Sequence, residues 1–245
     1  MREHVRRSTL GTRGLLVACG LAALLLAACA LPAGAVPDLQ LYVQGATWDA
    51  PTETWVTTAS EFDLEVIVAN NSLAGVKAAA ALVPPTTDPS GGSVTLQSPI
   101  ESATYTGSGG ANGFTYGTPM MGNGMDLPAH GIFPTWYGVV NVGNVGPFFG
   151  EPWGVVHNMQ PGSFADTAPG LTKIVHVNIS GFDWVHFDAY NHTVVGKTKV
   201  RKAPFSHDAE YFVPEPGSLL LMGMGLVGLV GMGFGRRFGR MPEFR

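Results

Sequence analysis

The stretch EFDLEVIVA, Glu61–Ala69, sets Phe62, Leu64, Val66 and Val68 against Asp63 and Glu65 with a period of two. That alternation is the signature of a strand with one face in a core and the other toward water. The same reading extends outward to LQLYVQ (39–44), SVTLQ (93–97), WYGVVNV (136–142), KIVHVNIS (173–180), FDWVHFDAY (182–190) and HTVVGKTKV (192–200). Their β-branched and aromatic side chains suit a pleated surface. One segment is ambiguous: GVKAAAALVPP (75–85) reads as a short helix by its alanines, or as a packed strand stopped by Pro84 and Pro85. Residues 106–131 are rich in Gly, with Asn-Gly steps at Asn112-Gly113 and Asn123-Gly124, so they read as a functional loop or a hairpin. Many short strands between Gly and Pro turns predict a mainly β protein, an antiparallel β-sandwich in a single domain.

The two ends differ from this middle. Arg2, Arg6, Arg7 and Arg13 precede the apolar run LLVACGLAALLLAA, and Ala33-Gly34-Ala35 is a small-x-small site. Residues 1–35 are therefore expected to be a secretory signal peptide cut by signal peptidase after Ala35. A rival lies inside it: Leu26-Ala27-Ala28-Cys29 has the form of a lipoprotein box, with Cys29 the residue to be lipidated. At the other end, Val213-Pro214-Glu215-Pro216 is followed by an uncharged run from Leu219 to Phe234 and then by Arg236, Arg237 and Arg240. With its flanking glycine and serine the run approaches the about 20 residues that cross a bilayer. The arginines would hold their end in the cytoplasm. The expected organisation is a signal peptide over 1–35, a sandwich over 36–212, and a sorting segment with a transmembrane helix over 213–245.

Charge is uneven. The whole chain carries −4, yet residues 36–212 hold 15 Asp and Glu against 6 Lys and Arg, a net of −9. An acidic exported part argues against nucleic acid as a partner. Both cysteines, Cys19 and Cys29, fall in the leader, so residues 36–212 offer no disulfide, thiolate ligand or thiol nucleophile. About 177 residues are enough to bury one core without such staples.

The Pro-Glu-Pro triplet, the apolar span and the arginine cluster, in that order, resemble the PEP-CTERM sorting arrangement of bacterial exported proteins. The resemblance implies that an exosortase recognises and processes the tail, that the tail is a temporary membrane anchor, and that the host makes exopolysaccharide. It further implies a destination in the envelope, on the outer surface or in the extracellular matrix. SEFDLEVIVANNS, LPAHGIFPTWY, VHFDAY and APFSHDAEY together resemble the ectodomains of the choice-of-anchor class of bacterial surface proteins. That likeness implies a β-rich surface domain and carries no catalytic residue with it.

Chemistry-bearing residues gather in GFDWVHFDAYNH, with Asp183, His186, Asp188 and His192, and in FSHDAE, with His207, Asp208 and Glu210. On a strand, Val185, Phe187 and Ala189 would face the core, and Trp184, His186, Asp188 and Tyr190 the other side. Residues i and i+2 lie roughly 7 Å apart, far for two ligands of one ion unless side chains converge. Histidine with carboxylate suits zinc or a similar ion. The plainer expectation is a polar strand face with His186 bonded to a carboxylate and no cofactor, with Asp183, His186 and Asp188 the candidate ligands if a divalent ion binds.

No Gly-x-Ser-x-Gly elbow, His-Glu-x-x-His pair or phosphate loop occurs. Asp63 and Glu65 would serve glycoside hydrolysis if they flanked a cleft, though their alternation already fits a solvated strand face. Trp136, Tyr137, Trp153, Trp184 and Tyr190 offer stacking surfaces for sugars or sides for a core. The sequence thus predicts a non-enzymatic structural or binding role beside extracellular polysaccharide, with a secreted carbohydrate-active enzyme or a metal-binding adhesion module as alternatives.

Overall fold

A computed structural model describes residues 36–191, 200–204 and 207–214. The leader with Ala35 and Cys29, the strand expected over 192–200 apart from Val200, His192, and the tail from Glu215 through Arg240 lie outside the described residues. Within them run β1 (Leu39–Val43), β2 (Thr47–Asp49), β3 (Thr54–Thr57), β4 (Glu61–Ala69), β5 (Leu73–Leu82), β6 (Ser93–Gln97) and β7 (Ser102–Thr106). They continue with β8 (Thr115–Gly117), β9 (Thr135–Val145), β10 (Gly154–His157), β11 (Thr167–Ser180), β12 (Trp184–Asn191) and β13 (Asp208–Phe212). Among the described residues no helix is long and apolar enough to cross a membrane.

The strands form two packed sheets. One runs β1-β4-β11-β6-β7, with β10 also on β11; the other runs β2-β3-β13-β12-β5-β9-β8. All pairings are antiparallel except β13 on β3, which is parallel. The sandwich expected from the alternation is therefore present, with one parallel ladder added. The ambiguous alanine segment is a strand, β5, held between β12 and β9.

Leu64, Val66 and Val68 of β4 point into the core between the sheets, where they meet Leu39, Leu41, Val175 and Val177 of their own sheet and Val76, Val140, Val185 and Phe187 of the other. Burying such a side chain stabilises by about 1.5–3 kcal/mol. Phe62 packs at the rim, its ring edge-on to Phe187 at 5.7 Å. Tyr105 reaches across from β7 and donates its hydroxyl to the Val139 carbonyl in β9, and Gly138 beside it leaves room for the ring.

The outer faces are less open than alternation predicts. On β4, Asp63 is exposed and Glu65 half-buried, but Ile67 and Ala69 on that face are buried with Val36, Val156 and Ala168. On the second sheet, residues 118–134 between β8 and β9 fold back over the strands. A small turn is pinned by Met121 N–H to Met125 O at 2.9 Å and Leu127 N–H to Pro119 O at 2.8 Å. Met121, Leu127 and Phe133 then pack on Ala79, Ala81 and Tyr190. The small alanines of β5 leave space for that layer, so the long Gly-rich segment is both a hairpin loop and a cover.

Candidate functional site

β12 presents His186 and Asp188 on the face away from the main core, as strand parity requires, and Val185, Phe187 and Ala189 into it. The neighbouring β13 brings Glu210 directly opposite His186 in the ladder, with Asp208 two residues away on the same side. The covering loop adds His130. Its side chain and those of His186, Asp188 and Asp208 are only 6%, 3%, 4% and 1% exposed. The polar strand face read from the sequence is a buried polar cluster, because the 118–134 loop lies on it.

The contacts fix how the rings are oriented. His186 Nδ1 donates to Glu210 Oε1 at 2.9 Å, and His130 Nδ1 donates to the Pro128 carbonyl at 3.2 Å. Both Nε2 atoms therefore turn inward and sit 3.2 Å apart. Asp188 lies 3.4 Å from His130 Nε2 through Oδ1 and 3.5 Å from His186 Nε2 through Oδ2. Asp208 Oδ2 is 3.8 Å from His186 Nε2. Among the described residues, Asp188 Oδ2 and both oxygens of Asp208 accept no hydrogen bond. Buried polar atoms normally have a partner, so three such oxygens at one place mark a site.

The electrostatics are correspondingly strong. Burial pushes the His186 imidazole down, but Asp188, with Glu210 and Asp208, outweighs it and brings the pKa up to about 10. Burial pushes Asp188 up, and His186 and His130 overcome this to hold it below the usual carboxylate range. Asp208 goes the other way: burial and then the Asp188 charge hold its carboxyl well above that range. The Lys202 ammonium is a nearby cation, its own pKa lowered by burial and partly restored by Asp208 and Asp188.

Of the candidate ligands read from the sequence, His186 and Asp188 belong to this cluster. Asp183 does not: it is exposed on the turn before β12, where its carbonyl accepts from Val213 N–H at 2.9 Å. His207, next to Asp208, turns to Asn158 Oδ1 at 2.7 Å. His130 was not singled out as a candidate. Its one signal was position in a loop too long to be a plain connection. Ligand atoms of His130, His186, Asp188 and Asp208 all lie within 4.8 Å of one another, so these four could hold a cation.

The remaining candidates lie apart. Asp63 meets His176 Nδ1 at 2.5 Å on the outer face of the first sheet, beside an open groove of about 640 Å³ lined also by Glu61, Thr95, Gln97 and Asn178. Burial and then Asp63 raise the pKa of Glu65. The aromatic residues form no common platform. Trp136 and Trp153 pack on the main core, Tyr137 and Tyr190 on the covering layer, and Trp184 stacks edge-on to Phe212 at 5.6 Å. Trp184, Trp48 and Phe212 wall a second groove of about 480 Å³, and Glu210 reaches its lining.

Compared with known proteins, residues 212–240 match the family model of the PEP-CTERM protein-sorting motif. That motif marks a chain for export to the cell surface or beyond and for exosortase processing. No curated protein and no solved structure matches the chain.

Proposed function

Because the chain carries a PEP-CTERM sorting tag, we propose that it is a surface or extracellular-matrix protein whose sandwich, freed by exosortase, has a non-enzymatic structural or binding role beside exopolysaccharide. The observation that carries this reading is where the tag begins. β13 ends at Phe212 and the motif starts there, so the tail can be removed while every described strand keeps its partners. At the other end Val36 is buried, and its carbonyl accepts from Asn70 Nδ2 at 2.9 Å. A product starting at Val36, after signal peptidase cleavage following Ala35, keeps that contact.

The groove by Asp63 and His176 supports a binding role. Carboxylates, amides, two hydroxyls and an imidazole line an open trough, a lining that suits the hydroxyls of an extended polysaccharide. By contrast, His186, Asp188 and Asp208 are too enclosed for a substrate to reach, which favours structure over catalysis there. The second reading is a carbohydrate-active enzyme using Asp63 with Glu65, neighbours on one strand face.

The test is intact-mass measurement of the product released by the native host, followed by retention of that product on the host's own exopolysaccharide. A mass that starts near Val36, lacks residues 219–245 and accompanies retention supports the proposal. Recovery of the whole tail with active exosortase overturns the processing reading. Cleavage of the polysaccharide, abolished by Asp63→Asn, overturns the non-enzymatic one.

A further inference from the structure

We propose that His130, His186, Asp188 and Asp208 form a closed binding site for one divalent transition ion of zinc's class, which fastens the 118–134 loop to the second sheet. The geometry makes the case before any ion is considered. Both imidazoles spend their Nδ1–H outward, on Glu210 and on the Pro128 carbonyl. Both Nε2 atoms and the inward oxygens of Asp188 and Asp208 then converge on one space, and each Nε2 becomes a lone pair aimed into it once its proton leaves. Asp208 is 1% exposed and neither of its oxygens has a hydrogen-bond partner among the described residues. A divalent cation that displaces the imidazole protons would satisfy these four groups together, including the Asp188 and Asp208 oxygens that accept no hydrogen bond among the described residues.

Spacing and donor type select the cation. A zinc ion about 2.0–2.1 Å from each donor needs those donors roughly 3.3 Å apart. The shortest separations here are 3.2, 3.4, 3.5 and 3.8 Å, and with one donor atom from each residue all four lie within 4.8 Å of one another, so the widest pairs must close on binding. Two imidazoles exclude calcium and magnesium as preferred ions, since those take oxygen donors; imidazole with carboxylate suits zinc and its neighbours. Two carboxylates neutralise the charge of a divalent ion, so the filled site is neutral in its buried setting. Glu210 behind His186 is the orienting carboxylate that metal-binding histidines usually have. Glu210 also reaches the lining of the groove walled by Trp48, Trp184 and Phe212.

The ligands come from the consecutive strands β12 and β13 and from a loop 56 residues upstream of His186, and their near-complete enclosure assigns the ion a structural role. Lys202 is the rival cation in the neighbourhood, and protonation of the cluster is the other way to relieve it. The proposal therefore departs from the cofactor-free expectation of the sequence.

The experiment uses the full chain purified in detergent without chelator. Elemental analysis is combined with titration by Zn²⁺ alone and by Co²⁺ alone, for the wild type, His130→Ala and Asp208→Asn. About one ion per chain, visible Co²⁺ absorption of a four-coordinate site, and loss of both in either variant are expected. Glu210→Gln should weaken binding by about 10–100-fold, as for outer-shell partners generally. Hydrogen exchange over 118–134 in the wild type should slow on adding Zn²⁺, a readout that needs no variant to fold. Absence of stoichiometric binding by the wild type, binding equal in all variants, or exchange in the loop that ignores Zn²⁺ overturns the proposal. None of these outcomes bears on tail processing.

Discussion

His186 and Glu210 face each other across the β12–β13 ladder, and the imidazole donates to the carboxylate at 2.9 Å inside the protein. The contact joins the last of the described strands to its neighbour by a charged pair as well as by backbone bonds. Removing one partner from a buried pair strands the other, at about 3–5 kcal/mol. Glu210→Ala should lower the unfolding free energy measured in urea by that order, and Glu210→Gln, which keeps an acceptor, by clearly less. Equal losses would mean that packing rather than the hydrogen bond matters at this position.

Gly138 is a second point of fine fit. A Cβ there would lie 2.4–2.7 Å from ring carbons of Tyr105. Gly138→Ala should destabilise by about 1–3 kcal/mol, the usual cost of overpacking. In a Tyr105→Ala background the same change should cost much less. A double-mutant cycle in denaturant measures the coupling; simple additivity would remove the clash as the cause.

Glu65 gives a pH dependence with a definite sign. Burial, then the Asp63 charge, raises its folded pKa. The folded chain therefore holds this proton to higher pH than the unfolded chain, and stability falls as pH rises from the unfolded value through the folded one. Glu65→Gln should raise the melting temperature at pH 7. The gain should vanish well below the ordinary glutamate value of about 4.3. A gain that persists there would point to packing instead of charge.

The covering loop should behave as part of the fold. Leu127 is 2% exposed against the second sheet. Leu127→Ala should cost about 2–5 kcal/mol, as for other buried leucines. It should also open residues 118–134 to limited proteolysis before the rest of the chain. Wild-type stability with faster cleavage alone would show the loop to be a separate unit.

Much of the fold was legible because inner positions of the strands follow a strict period. Leu64, Val66 and Val68 are such a set, and all three are in the core. The alanines of β5 hid their class, since alanine fits either face and either element, and only pairing with β12 and β9 decides it. The outer face misled for a different reason. Polarity in a strand predicts water above it only when nothing folds over it, and here a loop does. Half the polar cluster was readable: His186 and Asp188 share parity, whereas Asp183 is three residues from His186 and so belongs to the opposite face of any strand. Asp208 and Glu210 stood out as a separate group, but their register against β12 is a long-range fact. His130 enters from 56 residues away, and no local pattern encodes that meeting.

β13 is an interior strand. It lies between β3 and β12, and it pairs Asp208 with Thr54 across about 150 residues of chain. Such distant pairing is slow to form, and here the strand concerned is also the last of the described strands to be synthesised and delivered. Until it inserts, β2 and β3 have no described strand joining them to the rest of their sheet. Once it has inserted, only Val213 and Pro214 separate the sheet from Glu215, the centre of the sorting triplet. The strand that closes the second sheet and the triplet that marks the chain for cutting are thus next to each other in sequence. Only Val213 lies between Phe212, where the inserted strand ends, and Pro214, the first residue of that triplet.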